Sequence, residues 1–101
     1  MQAEGTIPAV SIQGVSCTVT SCIVHHNGDV GIGILGKEKT KTAPLVTDNL
    51  VFRNMGGGIG IATGGSATIV NTTISGNISE SDGGGGLDIY GTLHLTNSTV
   101  V

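Results

Sequence analysis

Four residues have the side-chain types needed for proton-transfer chemistry on an acidic substrate. His26 is a candidate base, Arg53 a candidate cation, and Asp29 and Asp82 are candidate carboxylates. A base and a cation placed together can remove a proton next to a substrate carboxylate. The competing interpretation, which we favour, is that these side chains face solvent along an exposed strand edge.

The remaining polar residues do not form a metal-binding pattern. His25, His26 and His94 lack the spacing of a metal site with a third ligand. Asp48 has no second acid at the matching position of the other repeats, whereas a calcium site needs several converging oxygen ligands. The residues therefore predict no metal and no cofactor.

Composition limits the elements that can position these residues. The chain has 101 residues, of which 18 are Gly, one is Tyr, one is Phe and none is Trp. The apolar residues are mostly Ile, Val and Leu, and their β-branched members, with Thr, favour strands over helices. Because aromatic rings are so few, the core must be narrow, as in a solenoid of short stacked strands. We predict a single all-β domain over residues 1–101.

Charge, hydropathy and cysteine content narrow the partners and the environment. The net charge of −3 argues against a nucleic-acid partner. No stretch of about 18 apolar residues is present to span a membrane, and the first four residues lack the features of a secretory signal. Cys17 and Cys22 are predicted to be free buried thiols, with a disulfide across the turn as the alternative.

An imperfect repeat runs through most of the chain. Each copy has an aliphatic residue, a second one five positions later and an Asn three positions after that; the copies are 19–27, 46–54 and 69–77. A fourth copy begins at Leu95. Repeats of this length fit one solenoid coil with two or three short strands. The differences in repeat length fall in two connections, Gly36–Thr42 and Ser79–Gly85.

A second block follows each Asn and alternates apolar residues with small or polar ones. Its copies are 31–34, 58–61 and 86–89, with 9–12 as an earlier one. Alternation with a period of two is the signal of a strand with one buried face. The two blocks together predict a single-stranded parallel β-helix of about four coils, with the repeat region at 9–101.

The repeated asparagines predict a structural ladder inside one turn. Asn27, Asn54 and Asn77 would stack one coil apart, at about 4.8 Å. An Asn side chain can satisfy backbone groups in a turn, and each stacked amide can also bond the next one. Such a ladder would satisfy the buried polar groups along the whole turn.

Two strings of the sequence carry a family resemblance. NTTISGN at 71–77 and GGGLDIYGTLHLTNSTV at 84–100 resemble the right-handed parallel β-helix repeats of the pectate-lyase-like superfamily. They are especially similar to bacterial surface and autotransporter-type repeats, in which an aliphatic-x-x-Asn unit precedes Gly-Gly-aliphatic, and residues 51–59 match best. The resemblance implies a right-handed coil, a bacterial or phage origin and an extracellular or cell-surface location.

The leading functional prediction is a non-catalytic structural or binding module that presents solenoid faces to carbohydrate or protein. The alternative is a fragment or subunit of a polysaccharide lyase-type enzyme; for that case alone the resemblance implies calcium held by acidic residues. A third possibility is an ice-binding solenoid, because ranks of hydroxyls on one outer sheet can order water: Thr18, Thr20, Thr68, Thr92 and Thr96. Uncapped coil ends additionally predict either a fragment of a longer protein or a homo-oligomer that stacks end to end or face to face.

Overall fold

The computed structural model describes residues 9–36, 42–79 and 85–101, which form twelve strands and no helix. Asp82 and most of the two long connections lie outside these described residues. Within the described part of the chain, no helix has the length and apolar character needed to cross a membrane. The strands are β1 (Val10–Gln13), β2 (Thr18–Thr20), β3 (Ile23–His25), β4 (Ile32–Leu35), β5 (Leu45–Thr47), β6 (Leu50–Phe52), β7 (Ile59–Ile61), β8 (Ser66–Val70), β9 (Thr73–Ser75), β10 (Leu87–Ile89), β11 (Thr92–Thr96) and β12 (Thr99–Val100).

Every third strand joins the same parallel sheet. Sheet A contains β1, β4, β7 and β10, sheet B contains β2, β5, β8 and β11, and sheet C contains β3, β6, β9 and β12. Three successive strands make one level of the solenoid. The chain completes three turns between β1 and β10 and continues through β11 and β12 in a fourth level. The prediction of an all-β parallel solenoid is confirmed.

Stacked aliphatic side chains fill the interior. In sheet C, Val24 pairs with Val51, which pairs with Ile74, and all three side chains are fully buried. Sheet A repeats this with Ile12 beside Ile34 and Ile34 beside Ile61. No aromatic residue belongs to this core among the described residues. The narrow interior expected from composition is therefore present.

Two corners of each coil are turned by residues with left-handed backbone conformation. Between sheets B and C these residues are Ser21, Asp48, Asn71 and Asn97, with φ between 47° and 58°. After sheet C they are His26 at 54°, Arg53 at 55° and Gly76 at 63°. This conformation costs most L-residues about 1–2 kcal/mol. In each case the next residue points a polar or small side chain into the corner, and those side chains make the hydrogen bonds described below.

The cysteine prediction was correct about bonding and wrong about burial. Both thiols are free, but Cys17 is exposed and Cys22 is half-buried. The Cys22 sulfur lies 3.2 Å from the carbonyl oxygen of Thr20, to which it donates. Cys17 lies immediately before β2 and is not part of a strand. It therefore does not occupy one of the strand positions whose side chains face the interior.

Candidate functional site

The structure brings Asn27, Asn54 and Asn77 together in one interior stack. The Oδ1 atom of Asn54 accepts hydrogen bonds from the side-chain amide of Asn27 at 2.7 Å and from its backbone N–H at 3.2 Å. Asn77 accepts the same two bonds from Asn54, both at 2.9 Å. The amides of Asn54 and Asn77 also donate to the carbonyls of Val24 and Val51, one level away. Across the described residues, no buried side-chain N or O atom lacks a hydrogen-bond partner.

A second polar stack, which sequence reasoning missed, occupies the corner between sheets B and C. Asn49 accepts from the backbone N–H of Cys22 at 2.9 Å and donates to the carbonyl of Val19 at 2.9 Å. Thr72 and Ser98 hold the equivalent positions in the next levels, and the Ser98 hydroxyl accepts from the Thr72 N–H. Cys22, Asn49, Thr72 and Ser98 hold this position in successive levels. Because they are four different residue types, no repeated residue in the sequence reveals the stack.

The candidate catalytic residues are only partly brought together. His25 pairs in register with Phe52, so His26 and Arg53 follow at equivalent corners of adjacent levels. Arg53 lines a groove on sheet C together with Thr73 and Ser75. Asp29 lines a different groove, on sheet A, and its Oδ1 accepts from the backbone N–H of Val30. Among the described residues, no group of three or more His, Cys, Asp or Glu side chains is arranged to hold a metal ion.

An aromatic cluster lies on the outer face of sheet C. The rings of His25 and Phe52 stack with centroids 5.0 Å apart and an interplanar angle of 7°. The His26 ring stands edge-on to both. The Nδ1 atoms of His25 and His26 are 2.8 Å apart. Partial burial, followed by nearby positive charge that includes His26, lowers the pKa of His25.

A shallow groove of about 240 Å³ on the outer face of sheet A combines two carboxylates, one phenol and an apolar floor. Asp29 and Asp88 supply the carboxylates, and Tyr90, which is 69% exposed, supplies the phenol. The other lining residues are Val30, Gly33, Ile34, Leu35, Gly60, Ile61 and Ala62. Sequence reasoning did not select Asp88 or Tyr90 as site residues.

Two glycines explain why the groove exists. Gly33 and Gly60 pair in register at the outward positions of β4 and β7, and Asp88 takes the same position in β10. Without side chains at two adjacent levels, the face is recessed beside Asp88, and Gly33 itself is buried while Val30 forms part of the lining. A Cβ on Gly60 would meet Val30 at 3.7 Å, an ordinary contact, so packing does not require glycine there. The alternation Ile-Gly-Ile in 32–34 and 59–61 was the sequence signal that could have located the groove.

The threonines of sheet B face outward but do not form continuous ranks. Thr18, Thr20, Thr68, Thr92 and Thr96 all lie in this sheet and are exposed. The register aligns Thr18 with Leu45, and Thr68 with His94, so apolar and imidazole groups break the first rank. In the second rank Thr47 continues the row from Thr20, and Val70 breaks the row at the next level.

Comparison with known proteins agrees with this architecture. Residues 5–74 match the family model described as "Right handed beta helix region". The match spans well over half of the chain, and the chain belongs to this right-handed β-helix family. It matches no curated protein and no solved structure.

Proposed function

We propose that this chain is a non-catalytic binding module that holds a carbohydrate in the groove of sheet A. The observation that carries the proposal is the recessed Gly33–Gly60 face flanked by Asp29, Asp88 and Tyr90. At about 240 Å³ the groove is smaller than pockets that enclose a small molecule. A ligand would lie across it rather than enter it.

The chemistry of the groove matches the surface of a sugar. A pyranose ring has an apolar C–H face, which can pack on the exposed ring of Tyr90, an amphipathic aromatic side chain. Its hydroxyls are donors, and ionised carboxylates such as those of Asp29 and Asp88 only accept. Asp29 has one oxygen engaged by the Val30 N–H, so we expect its second oxygen to be the one that accepts from a ligand.

Affinity electrophoresis through gels that contain single neutral polysaccharides would test the proposal. The probes are soluble β-glucan, xylan and galactomannan. We expect retardation by at least one of them, and loss of about tenfold in affinity in Tyr90→Ala and in Asp88→Asn, because a hydrogen bond to a charged group contributes about 1.5–3 kcal/mol. Thr68→Ala, on sheet B, is the matched control. Equal retardation of all three variants and the parent would contradict the assignment.

The lyase-type enzyme is the alternative function, supported by the equivalent corner positions of His26 and Arg53. It is less well supported because Asp29 lines a different groove from Arg53. Incubation with uronate polymers and calcium, followed by ultraviolet absorbance of the unsaturated product, tests it directly. Activity that disappears in Arg53→Ala would favour the enzyme over the binding module.

Self-association is proposed from the exposure of the fourth level. Leu95 pairs with the fully buried Ile69 and yet is 43% exposed, and Val100 is similarly exposed beside the buried Ile74. We propose that a second copy covers these side chains by pairing with β11 and β12, which are the outermost strands of sheets B and C among the described residues, in a symmetric dimer. The solution mass should be that of a dimer and should fall to the monomer in Leu95→Lys. A parent chain that stays monomeric at high concentration would refute this.

A further inference from the structure

The two adjacent histidines of the aromatic cluster converge through the same ring atom. The Nδ1 atoms of His25 and His26 approach to 2.8 Å, although the two rings are nearly perpendicular, at 88°. Neighbouring residues in a strand normally point to opposite faces. The left-handed backbone of His26, with φ of 54°, ends the strand at this point and turns its ring back towards His25. The close approach of the two nitrogens is therefore caused by the left-handed turn at His26 and not by the strand conformation.

The separation of these nitrogens matches one class of metal ion. Metal–imidazole bonds are about 2.0 Å long. Two such bonds at a right angle place their nitrogens about 2.8 Å apart, whereas tetrahedral bonds place them about 3.3 Å apart. Cu²⁺ and Ni²⁺ favour right-angled, tetragonal coordination by nitrogen ligands. In the structure this 2.8 Å contact is a hydrogen bond, in which one imidazole donates its Nδ1–H to the Nδ1 of the other, and an ion that replaced the shared proton at a right angle would keep nearly the same separation.

We propose that His25 and His26 bind a divalent tetragonal metal ion, Ni²⁺ or Cu²⁺, through their Nδ1 atoms. Two protein ligands leave the other coordination positions to water, so the site is open, unlike a closed structural site. Stacking on Phe52 holds the His25 ring in place, while the exposed His26 ring can rotate to direct its lone pair at the ion.

Arg53 does not add to the positive charge near His25. Arg53 occupies the next corner, but its Cγ lies 3.8 Å from where a Cβ on Gly76 would be, in the level beyond. The stem of Arg53 thus runs away from the histidines.

Calorimetric titration of the untagged chain with Ni²⁺ tests the proposal. Ni²⁺ is the first probe because the exposed thiol of Cys17 can reduce Cu²⁺. We expect one ion per chain and a loss of at least about tenfold in affinity in both His25→Phe and His26→Gln. The first variant keeps an aromatic ring on Phe52 and removes only the nitrogens. His94→Gln, with its imidazole on sheet B, should bind like the parent, and Mg²⁺ should not bind to the histidines.

Cu²⁺ titration in a Cys17→Ser background, followed by electron paramagnetic resonance, provides an independent readout. Axial spectra with nitrogen hyperfine splitting that is lost in His26→Gln would support the site. Circular dichroism of each variant without metal establishes that the fold is retained. The proposal fails if His94→Gln weakens binding as much as His26→Gln, or if the parent chain binds no Ni²⁺. Neither outcome bears on the carbohydrate groove, which contains neither histidine.

Discussion

Asn54 donates its side-chain amide to the Oδ1 atom of Asn77, 2.9 Å away and one level along the solenoid. The second hydrogen of the same amide goes to the carbonyl of Val24, one level in the other direction. Asn54 therefore spans three levels with one planar group. Because its own Oδ1 accepts two bonds from Asn27, every polar atom of this side chain is engaged.

Replacement of Asn54 by Ala should destabilise the fold severely. The change would leave the N–H and amide of Asn27 and the carbonyl of Val24 without these partners in a buried corner. Each unsatisfied buried group costs about 1–3 kcal/mol, so we expect a loss of about 3 kcal/mol or more. Urea denaturation gives the value, with the exposed Thr68→Ala as control. A loss below about 1 kcal/mol would mean that water replaces the amide.

Two glycines of one segment should respond in opposite ways to substitution by Ala. A Cβ on Gly58 would lie 2.6 Å from a methyl of Ile74 and 2.7 Å from the carbonyl oxygen of Gly86, whereas one on Gly60 makes only ordinary contacts. Gly58→Ala should lower stability by about 2 kcal/mol through overpacking. Gly60→Ala should raise it by about 0.5 kcal/mol, because it restricts the unfolded chain.

Thermal unfolding of both variants compares these effects directly. Gly60→Ala also adds a methyl group to the floor of the groove on sheet A, so the same protein should bind polysaccharide more weakly while it unfolds at a higher temperature. If both substitutions lower the midpoint equally, the distinction between the inner and outer positions of this segment is wrong.

The left-handed corner at Arg53 should accept Gly and reject β-branched residues. Gly76 already occupies the equivalent position one level on, with φ of 63°. Arg53→Gly removes about 1–2 kcal/mol of backbone strain and costs about 0.5–1 kcal/mol in unfolded-chain entropy. We expect a net gain of about 0.5 kcal/mol for Gly and a loss of more than about 1 kcal/mol for Arg53→Val. Denaturant midpoints for the two variants and the parent provide the comparison.

Stability should depend on pH through His25. Partial burial lowers the pKa of His25 in the folded chain below its ordinary value of 6.5. Between that lowered pKa and about 6.5 the unfolded chain binds more protons, so stability falls as the pH falls through this window and is fully retained above it. His25→Phe should flatten the part of the slope that this group causes. Urea midpoints at about pH 7.5 and pH 5.5 measure it, and an unchanged slope would assign the dependence to other groups.

The parallel stacking of coils could be predicted because each coil needs the same residue types at the same positions. An inward aliphatic residue, such as Val24, Val51 or Ile74, must recur once per turn for the core to be continuous, and this recurrence survives changes in connection length. The Asn stack was predictable for the same reason, since one residue type makes the hydrogen bonds of this corner at three levels. The stack through Asn49 and Thr72 could not be predicted. Hydroxyl and amide oxygens can both accept the backbone N–H at this corner, so no single residue type repeats there.

By itself the sequence determined the class of fold, the direction in which the strands stack, and the interior position of Asn27, Asn54 and Asn77. These follow from the periodic spacing of residue types, which can be read directly from the order of residues along the chain. Only the tertiary structure decided that Asp29 and Asp88 share a groove, because their proximity depends on the register between coils of unequal length. It also decided that two neighbouring histidine rings meet, because a left-handed corner, which no spacing encodes, turns one of them back on the other.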